Sequence, residues 1–179
     1  MKLVQAPKIL LSAVLLLVLP VALVGATGSE ERSVLEDEKR PAISHYNLEK
    51  GLALSGYDPV AYFPGGGGEP KKGKKELTAT HLGVTYRFAS KENKELFVAE
   101  PSRFEPAYGG WCAYAMSRGK KVEVDPKSFL VENGKLHVFY KGLFNNTRKK
   151  WQKEGGAKLR PKATGNWKKI SGEGEEEKP

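Results

Sequence analysis

The two sulfur-bearing side chains of the central region lie close together in the sequence. Cys112 is the only thiol of the 179-residue chain, and Met116 follows it four residues later. If this segment is helical, both sulfur atoms lie on one face, where thiolate and thioether would be soft ligands that suit Cu(I). With His81 or His137 as a further donor, the pattern predicts a metal site, and copper or zinc is the expected ion. The alternative is core packing, because free Cys and Met side chains are commonly buried.

The same thiol could instead act as a nucleophile. Cys112 follows Gly109-Gly110 near the start of a predicted helix, where the helix dipole favours a thiolate. A thiolate enzyme also needs a general base, and His81 or His137 would serve. The spacing marks no acidic group that would orient such a base. A Cys-dependent redox enzyme is therefore the alternative to a binding protein.

Aromatic side chains surround these chemical groups in the sequence. The candidates for a ligand pocket are four aromatic residues, one carboxylate and the thiol: Tyr57, Asp58, Tyr86, Trp111, Cys112 and Tyr114. The alternative is that the aromatic residues form the core of a small domain. Asp58 precedes Pro59, which is also typical of a turn or capping residue.

The composition limits the class of protein. The chain has 39% hydrophobic residues, a formal net charge of +9 and a single Cys. This excludes a collagen, a disulfide scaffold, a wholly disordered chain and a four-Cys zinc site. A mean hydropathy of −0.50 excludes a protein with many membrane spans. The length is that of one domain.

The first 26 residues have the layout of a cleaved export signal. Lys2 and Lys8 precede an apolar run that ends at Pro20, and small residues allow cleavage after Ala26. The alternative is an uncleaved membrane anchor, but a span needs about 20 apolar residues and this run is shorter. The sequence therefore predicts a periplasmic or secreted protein, for which no nucleic-acid partner is expected.

Charge divides the remaining chain. Residues 27–50 form a polar lead-in that is predicted to be flexible, and residues 171–179 form an acidic tail that is predicted to be disordered. The body, residues 51–170, has 23 Lys and Arg against 11 Asp and Glu, a surplus of 12 positive charges. This surplus gives a third hypothesis, a basic protein that binds anionic lipid or polysaccharide of the envelope. The sequence names no protein partner.

Hydrophobic patterning predicts a small, single α+β domain of short β-hairpins and short helices. Hairpins are expected at 77–88 and 129–140, the second with Asn133-Gly134 at its turn. Helices are expected from Ser90 to Pro101, over 111–118 and over 144–154. Trp167 and its neighbours are expected to close the core.

Several blocks resemble the exported YHS-domain proteins of bacteria. The blocks are the runs 56–63 (GYDPVAYF), 86–90 (YRFAS), 108–113 (YGGWCA), 133–136 (NGKL) and 166–167 (NW). In this order they are similar to that family over residues 54–170. The resemblance implies a YHS-like domain over 51–170.

YHS domains are small modules attached to metal-transport ATPases and some monooxygenases, and the resemblance implies metal binding. Metal-linked members carry two Cys at a strand-to-helix junction, where this chain has Ala89 and Asn93. The thiolate pair is therefore absent. The leading hypothesis is an exported, non-enzymatic accessory or binding module that takes a soft metal ion or a small ligand near Cys112.

Overall fold

The computed structural model describes residues 41–173. The predicted export signal, residues 1–26, lies outside the described residues, as do residues 27–40 of the lead-in and residues 174–179 of the tail. Within the described range, no helix combines the length and the apolar character needed to span a membrane.

The domain combines two small β-sheets with short helices, which confirms the predicted α+β class. The strands are β1 (Leu48–Glu49), β2 (Leu52–Ala53), β3 (Lys74–His81), β4 (Val84–Phe88), β5 (Asp125–Glu132) and β6 (Lys135–Phe139). The α-helices are α1 (Lys91–Ala99), α2 (Pro101–Phe104), α3 (Ala113–Met116), α4 (Thr147–Glu154) and α5 (Gly156–Ser171). Short 3-10 turns cover Pro41–His45, Leu54–Gly56, Pro64–Gly66 and Ala107–Gly110.

Turn residues fix the two hairpins. The first sheet has the order β1-β2-β4-β3, and β3 and β4 pair antiparallel through Leu82 and Gly83. The second sheet is the β5–β6 hairpin, which turns at Asn133 and Gly134. All four turn residues have positive φ, as a two-residue turn of the primed type requires. Both predicted hairpins are confirmed.

Helix α1 begins at the predicted cap. The hydroxyl of Ser90 accepts a hydrogen bond from the backbone N–H of Asn93. Asn93 and Phe97 face the core, but Leu96 is 44% exposed. The core therefore covers only a narrow face of this short helix.

The C-terminal part of the domain differs most from the predicted elements. The helix expected from Phe144 begins only at Thr147, because Asn146 caps it, and Phe144 is 96% exposed. The helix expected over 111–118 is confined to α3. Helix α5 was not predicted, because Pro161 lies inside it and proline rarely occurs in a helix interior. Trp167 is buried, as expected.

Strand β6 separates two hydrophobic cores. Leu136 and Val138 pack with the first sheet and α1 in one core. Phe139 packs with Trp151 and the residues of α3 and α5 in the other. Since side chains alternate along a strand, His137 must lie on the same side as Phe139. A histidine is thus placed inside the second core.

The fold begins before the predicted boundary at residue 51. Ala42 is buried, and Leu48 pairs with Ala53 in the first sheet. At the other end, Ser171 closes α5, and Glu173 accepts hydrogen bonds from the hydroxyl of Tyr46 at 2.8 and 2.9 Å. The two ends of the described chain therefore meet, and they do so beside the cavity described below.

Candidate functional site

The sulfur atoms of the predicted metal site are enclosed. Cys112 has no exposed surface, and its Sγ lies 3.3 Å from Oγ1 of Thr147. Met116 is also fully buried and belongs to the second core. His81 instead ends the edge strand β3, where its ring centroid lies 6.4 Å from that of Phe97.

The predicted metal ligands are not assembled. Between residues 41 and 173, no three His, Cys, Asp or Glu side chains are grouped closely enough to hold a metal ion. Cys112, His81 and His137 therefore do not meet, because β3 and the segment around Cys112 pack into different cores. The described structure therefore does not bring both histidines to Cys112, and a copper or zinc site of Cys112, Met116 and one histidine stays a prediction.

The burial of Cys112 also affects the enzyme alternative. A reactive thiolate needs access and a neighbouring base or positive group. The hydrogen-bonding partner of its Sγ is the neutral hydroxyl of Thr147, and that hydroxyl itself donates to the carbonyl oxygen of Tyr140 at 2.8 Å. Cys112 is thus placed as a packing residue between α3 and α4.

Asp58 is a buried structural carboxylate. Its Oδ1 accepts the backbone N–H groups of Val60 at 2.8 Å and Ala61 at 3.2 Å. Its Oδ2 accepts the N–H of Ala89 at 2.8 Å and the side-chain amide of Asn93 at 2.7 Å. The four bonds join the 58–61 turn to the start of α1. The interpretation as a turn residue fits this geometry, and the side chain is enclosed rather than presented to a ligand.

The four aromatic candidates lie at separate places. Tyr86 is buried, and its hydroxyl donates to Oε1 of Glu105 at 2.8 Å. Trp111 donates its indole N–H to the carbonyl oxygen of His45 at 2.6 Å. Tyr57 lies under the ammonium of Lys72, which is 4.5 Å from the ring centroid. These three residues therefore form no common pocket.

Tyr114 belongs to a polar cluster on the surface. Its hydroxyl donates to Oε1 of Glu154 at 2.6 Å, and the guanidinium of Arg118 lies 3.7 Å from its ring centroid. Arg118 also pairs with Glu154 at 2.8 Å. The hydrogen bond to Glu154 raises the pKa of Tyr114. The cluster fastens α4 to the segment after α3.

A cavity lies at the junction of α5, β6 and the 107–110 turn, and its volume is about 550 Å³. Three aromatic residues, a histidine and an ion pair are among its lining groups: Tyr46, Tyr108, Trp167, His137, Glu132 and Arg160. Of all the residues predicted to bind a ligand or a metal, only His137 borders this cavity. Its volume is within the range of small-molecule sites.

His137 is the unusual group of the cavity. It is only 3% exposed, and its ring lies between those of Tyr108 and Trp151, with both centroid distances at 5.7 Å. Neither ring nitrogen has a hydrogen-bond partner in the described part of the chain. A buried polar group without a partner costs roughly 1–3 kcal/mol, so the site favours a ligand that can supply one.

Burial also determines the charge of this imidazole. It lowers the pKa of His137 to about 4, with Arg160 and Lys135 acting in the same direction and Glu132 against it. His137 is therefore neutral at pH 7, with one nitrogen that donates and one that accepts. Both ring nitrogens are enclosed in the described structure, as the rest of the ring is.

The carboxylates of the cavity are already engaged by the protein. Oε2 of Glu132 accepts the indole N–H of Trp151 at 3.1 Å and pairs with Arg160 at 3.3 Å. Glu173 accepts the indole N–H of Trp167 at 3.0 Å in addition to the Tyr46 hydroxyl. These bonds hold α5 and the chain ends around the cavity.

Backbone conformation shapes the remaining wall. Tyr108, Gly109 and Gly110 all have positive φ, at 57°, 59° and 83°. Such a conformation is uncommon for a tyrosine, and strained residues of this kind cluster at binding sites. Gly109 has no room for a side chain, since a Cβ would lie 2.6 Å from the Trp167 ring. The Tyr-Gly-Gly block thus forms one side of the cavity.

His137 was predicted as a metal ligand or a general base, and several other lining residues were missed by sequence reasoning. His137 interrupts the apolar run Leu136–Phe139, which is typical of a strand buried on both faces, and this pattern could have indicated a histidine inside a core. Tyr46 and Arg160 carry no such pattern, because they lie in a polar segment and in a helix that contains a proline. Only the tertiary structure brings them together.

The neutral state of His137 predicts a specific pH dependence of stability. Its pKa is about 4 in the folded protein and about 6.5 when unfolded, so the unfolded chain binds the proton first as the pH falls. The contribution of the neutral imidazole to the free energy of unfolding is constant above pH 6.5 and is lost progressively between about pH 6.5 and 4. About 2 kcal/mol of it is lost by pH 5. Urea unfolding at about pH 7 and about pH 5 measures this loss. The free energy of unfolding of His137→Phe should fall less between the two pH values than that of the wild-type protein. An identical effect in both proteins would contradict a buried neutral imidazole.

Comparison with known proteins gives no relative. No protein-family model matches the chain, and no curated protein and no solved structure matches it either. The YHS-domain resemblance therefore remains a prediction from the sequence.

Proposed function

We propose that this protein is a non-enzymatic binding module that takes a small organic molecule in the cavity bordered by His137. The observation that carries the proposal is a histidine that is 3% exposed, lines a cavity of about 550 Å³ and has two ring nitrogens without a partner in the described chain. Exchanging these unmade hydrogen bonds for bonds to a ligand is favourable.

The walls of the cavity favour a planar ligand. The rings of Tyr108 and Trp167 line it on the sides of the 107–110 turn and α5, and Tyr46 packs edge-on against Trp167 at a centroid distance of 5.6 Å. Aromatic rings stabilise flat unsaturated molecules by stacking and by edge contacts. A planar group of one or two rings fits the space between them.

The polar groups of the cavity favour a ligand rich in hydrogen-bond acceptors. Glu132 and Glu173 already accept bonds from the protein, so they offer less to a ligand. Arg160 has five N–H donors and directs one to Glu132, and Lys135 directs its ammonium to the carbonyl oxygen of Ser102. The remaining donors suit a carboxylate or a similar oxygen-rich group.

The proposal moves the predicted binding site and keeps the class of function. The site lies at His137 rather than at Cys112, and the ligand is an organic molecule rather than a soft metal ion. Export to the periplasm or beyond and membership of the YHS-domain group remain part of the proposal, on the strength of the sequence.

Salicylate, a planar aromatic carboxylate, is a suitable probe for this site. We expect saturable binding in the millimolar range or tighter, measured by calorimetry and by the change in tryptophan fluorescence. His137→Phe and Arg160→Gln should each weaken binding about tenfold, since one removes the imidazole donor and the other removes the guanidinium. Arg118→Gln is the matched control, because Arg118 also pairs with a glutamate but lies outside the cavity.

Two results would overturn the proposal. One is the absence of saturable binding by both salicylate and the larger indole-3-acetate. The other is equal affinity for the ligand in His137→Phe, Arg160→Gln and the control Arg118→Gln. Circular dichroism of each variant distinguishes loss of binding from loss of the fold.

A further inference from the structure

The loop between β6 and α4 presents two large apolar side chains to solvent. Leu143 is 89% exposed and Phe144 is 96% exposed. The other exposed large hydrophobic residues of the described chain, Leu96 and Val98, reach 44% and 59%. Folding therefore leaves the Leu143–Phe144 pair almost as exposed as in an unfolded chain.

The two side chains stand at the tip of a fixed turn. Lys141 and Asn146 pair as an antiparallel bridge, and the N–H of Gly142 donates to the carbonyl oxygen of Asn145 at 2.9 Å. Asn146 then caps α4 by accepting the backbone N–H of Lys149 at 3.2 Å. We call residues 142–145 the apolar tip. Because its base is hydrogen-bonded, little conformational freedom remains to be lost when the tip binds.

Positive charge surrounds the apolar tip. From residue 133 to residue 153 the chain contains six Lys and Arg side chains and no Asp or Glu. Lys141 lies at the base of the tip, and Lys149 and Lys150 are exposed in the first turns of α4. The nearest acidic groups along the chain, Glu132 and Glu154, both have basic partners. The chain segment that carries the tip is therefore strongly basic.

We propose that the apolar tip docks on an anionic lipid bilayer. Leu143 and Phe144 enter the boundary between headgroups and acyl chains, while Lys141, Lys149 and Lys150 contact anionic headgroups. Aromatic and aliphatic side chains within a basic surface are the two features that interfacial membrane binding combines. A polysaccharide would neutralise the lysines but would leave both apolar side chains in water. A bilayer is thus the partner that can bind both the apolar side chains and the lysines.

Vesicle sedimentation tests the proposal. Phosphatidylcholine vesicles with about one third phosphatidylglycerol should bind the protein, and pure phosphatidylcholine vesicles should bind it far less. Leu143→Ser/Phe144→Ser should weaken binding about tenfold or more, because the apolar area no longer leaves water. Lys149→Gln/Lys150→Gln should also weaken it, and NaCl near about 1 M should abolish the contribution of charge.

Matched variants keep the comparison specific. Leu96→Ser/Val98→Ser removes the two other exposed apolar side chains, and Lys168→Gln/Lys169→Gln removes two adjacent exposed lysines from α5. Neither control should change vesicle binding by as much as the tip variants do. All variants share the same chain ends, so differences between them report on the substituted surface.

A local probe makes the test independent of other lipid-binding segments. Emission from Phe144→Trp should shift to shorter wavelength on vesicles and be quenched by brominated acyl chains, whereas Val98→Trp should show neither effect. The proposal is overturned if Phe144→Trp is not quenched, or if the tip and control variants bind vesicles equally. A second copy of the chain could instead cover the tip. In that case the wild-type protein would be dimeric, Leu143→Ser/Phe144→Ser would be monomeric and neither would bind vesicles, and this result also overturns the proposal.

Discussion

Asp58→Ala is expected to lower the free energy of unfolding by about 4 kcal/mol. The carboxylate of Asp58 is fully buried and accepts four hydrogen bonds at 2.7–3.2 Å. Its removal leaves the N–H groups of Val60, Ala61 and Ala89 inside the protein without a partner. A loss of this size is a large part of the stability of a small domain, which is typically 5–15 kcal/mol.

Urea unfolding followed by far-ultraviolet circular dichroism measures this loss. Asp125→Ala is the matched control, because Asp125 also accepts a backbone N–H, that of Lys127 at 2.9 Å, but its hydrogen bond lies at the exposed start of β5. Asp125→Ala should lower the free energy of unfolding by no more than about 1 kcal/mol. Equal losses in the two variants would show that burial of the Asp58 network contributes little.

Gly109→Ala is expected to cost about 3 kcal/mol and to damage the cavity at the same time. The φ angle of Gly109 is +59°, which an alanine adopts only with strain. The added Cβ would also lie 2.6 Å from the ring of Trp167 and 3.1 Å from that of Tyr46. Both rings line the cavity, so they must move to admit the methyl group.

The two causes can be separated with other glycines of the chain. Gly134→Ala introduces the same kind of strain, since φ is +71°, but no atom lies within 4 Å of the new Cβ. It should cost about 1 kcal/mol. Gly165→Ala, inside α5 with nothing within 4 Å, should stabilise the protein by up to about 1 kcal/mol. If Gly109→Ala cost no more than Gly134→Ala, close packing at the cavity wall would be refuted.

Local sequence patterns were enough to predict several short elements of the domain. The Asn133-Gly134 turn, the β3–β4 hairpin and the helix start at Ser90 all appear in the structure. Each depends on residues within a few positions of one another, so the physical cause is contained in a short segment. The α+β class follows from these elements.

Prediction was incomplete in the C-terminal part of the domain. Phe144 was expected to begin a helix, but Asn146 caps α4 and starts it later, so that Phe144 is 96% exposed. Helix α5 forms although it contains Pro161, because Leu159, Ala163 and Trp167 are buried against the second core. Packing energy of this kind exceeds the local cost of a proline.

The sequence by itself determined the hairpin turns, the start of α1 at Ser90 and the basic character of the body. The tertiary structure decided which chemical groups meet. It separated His81 from Cys112, and it joined Tyr46 to Glu173 across 127 positions of the chain. It also enclosed His137 between Tyr108 and Trp151. Turns and caps are set by short-range sterics and hydrogen bonds, whereas a cavity is the product of how whole elements pack.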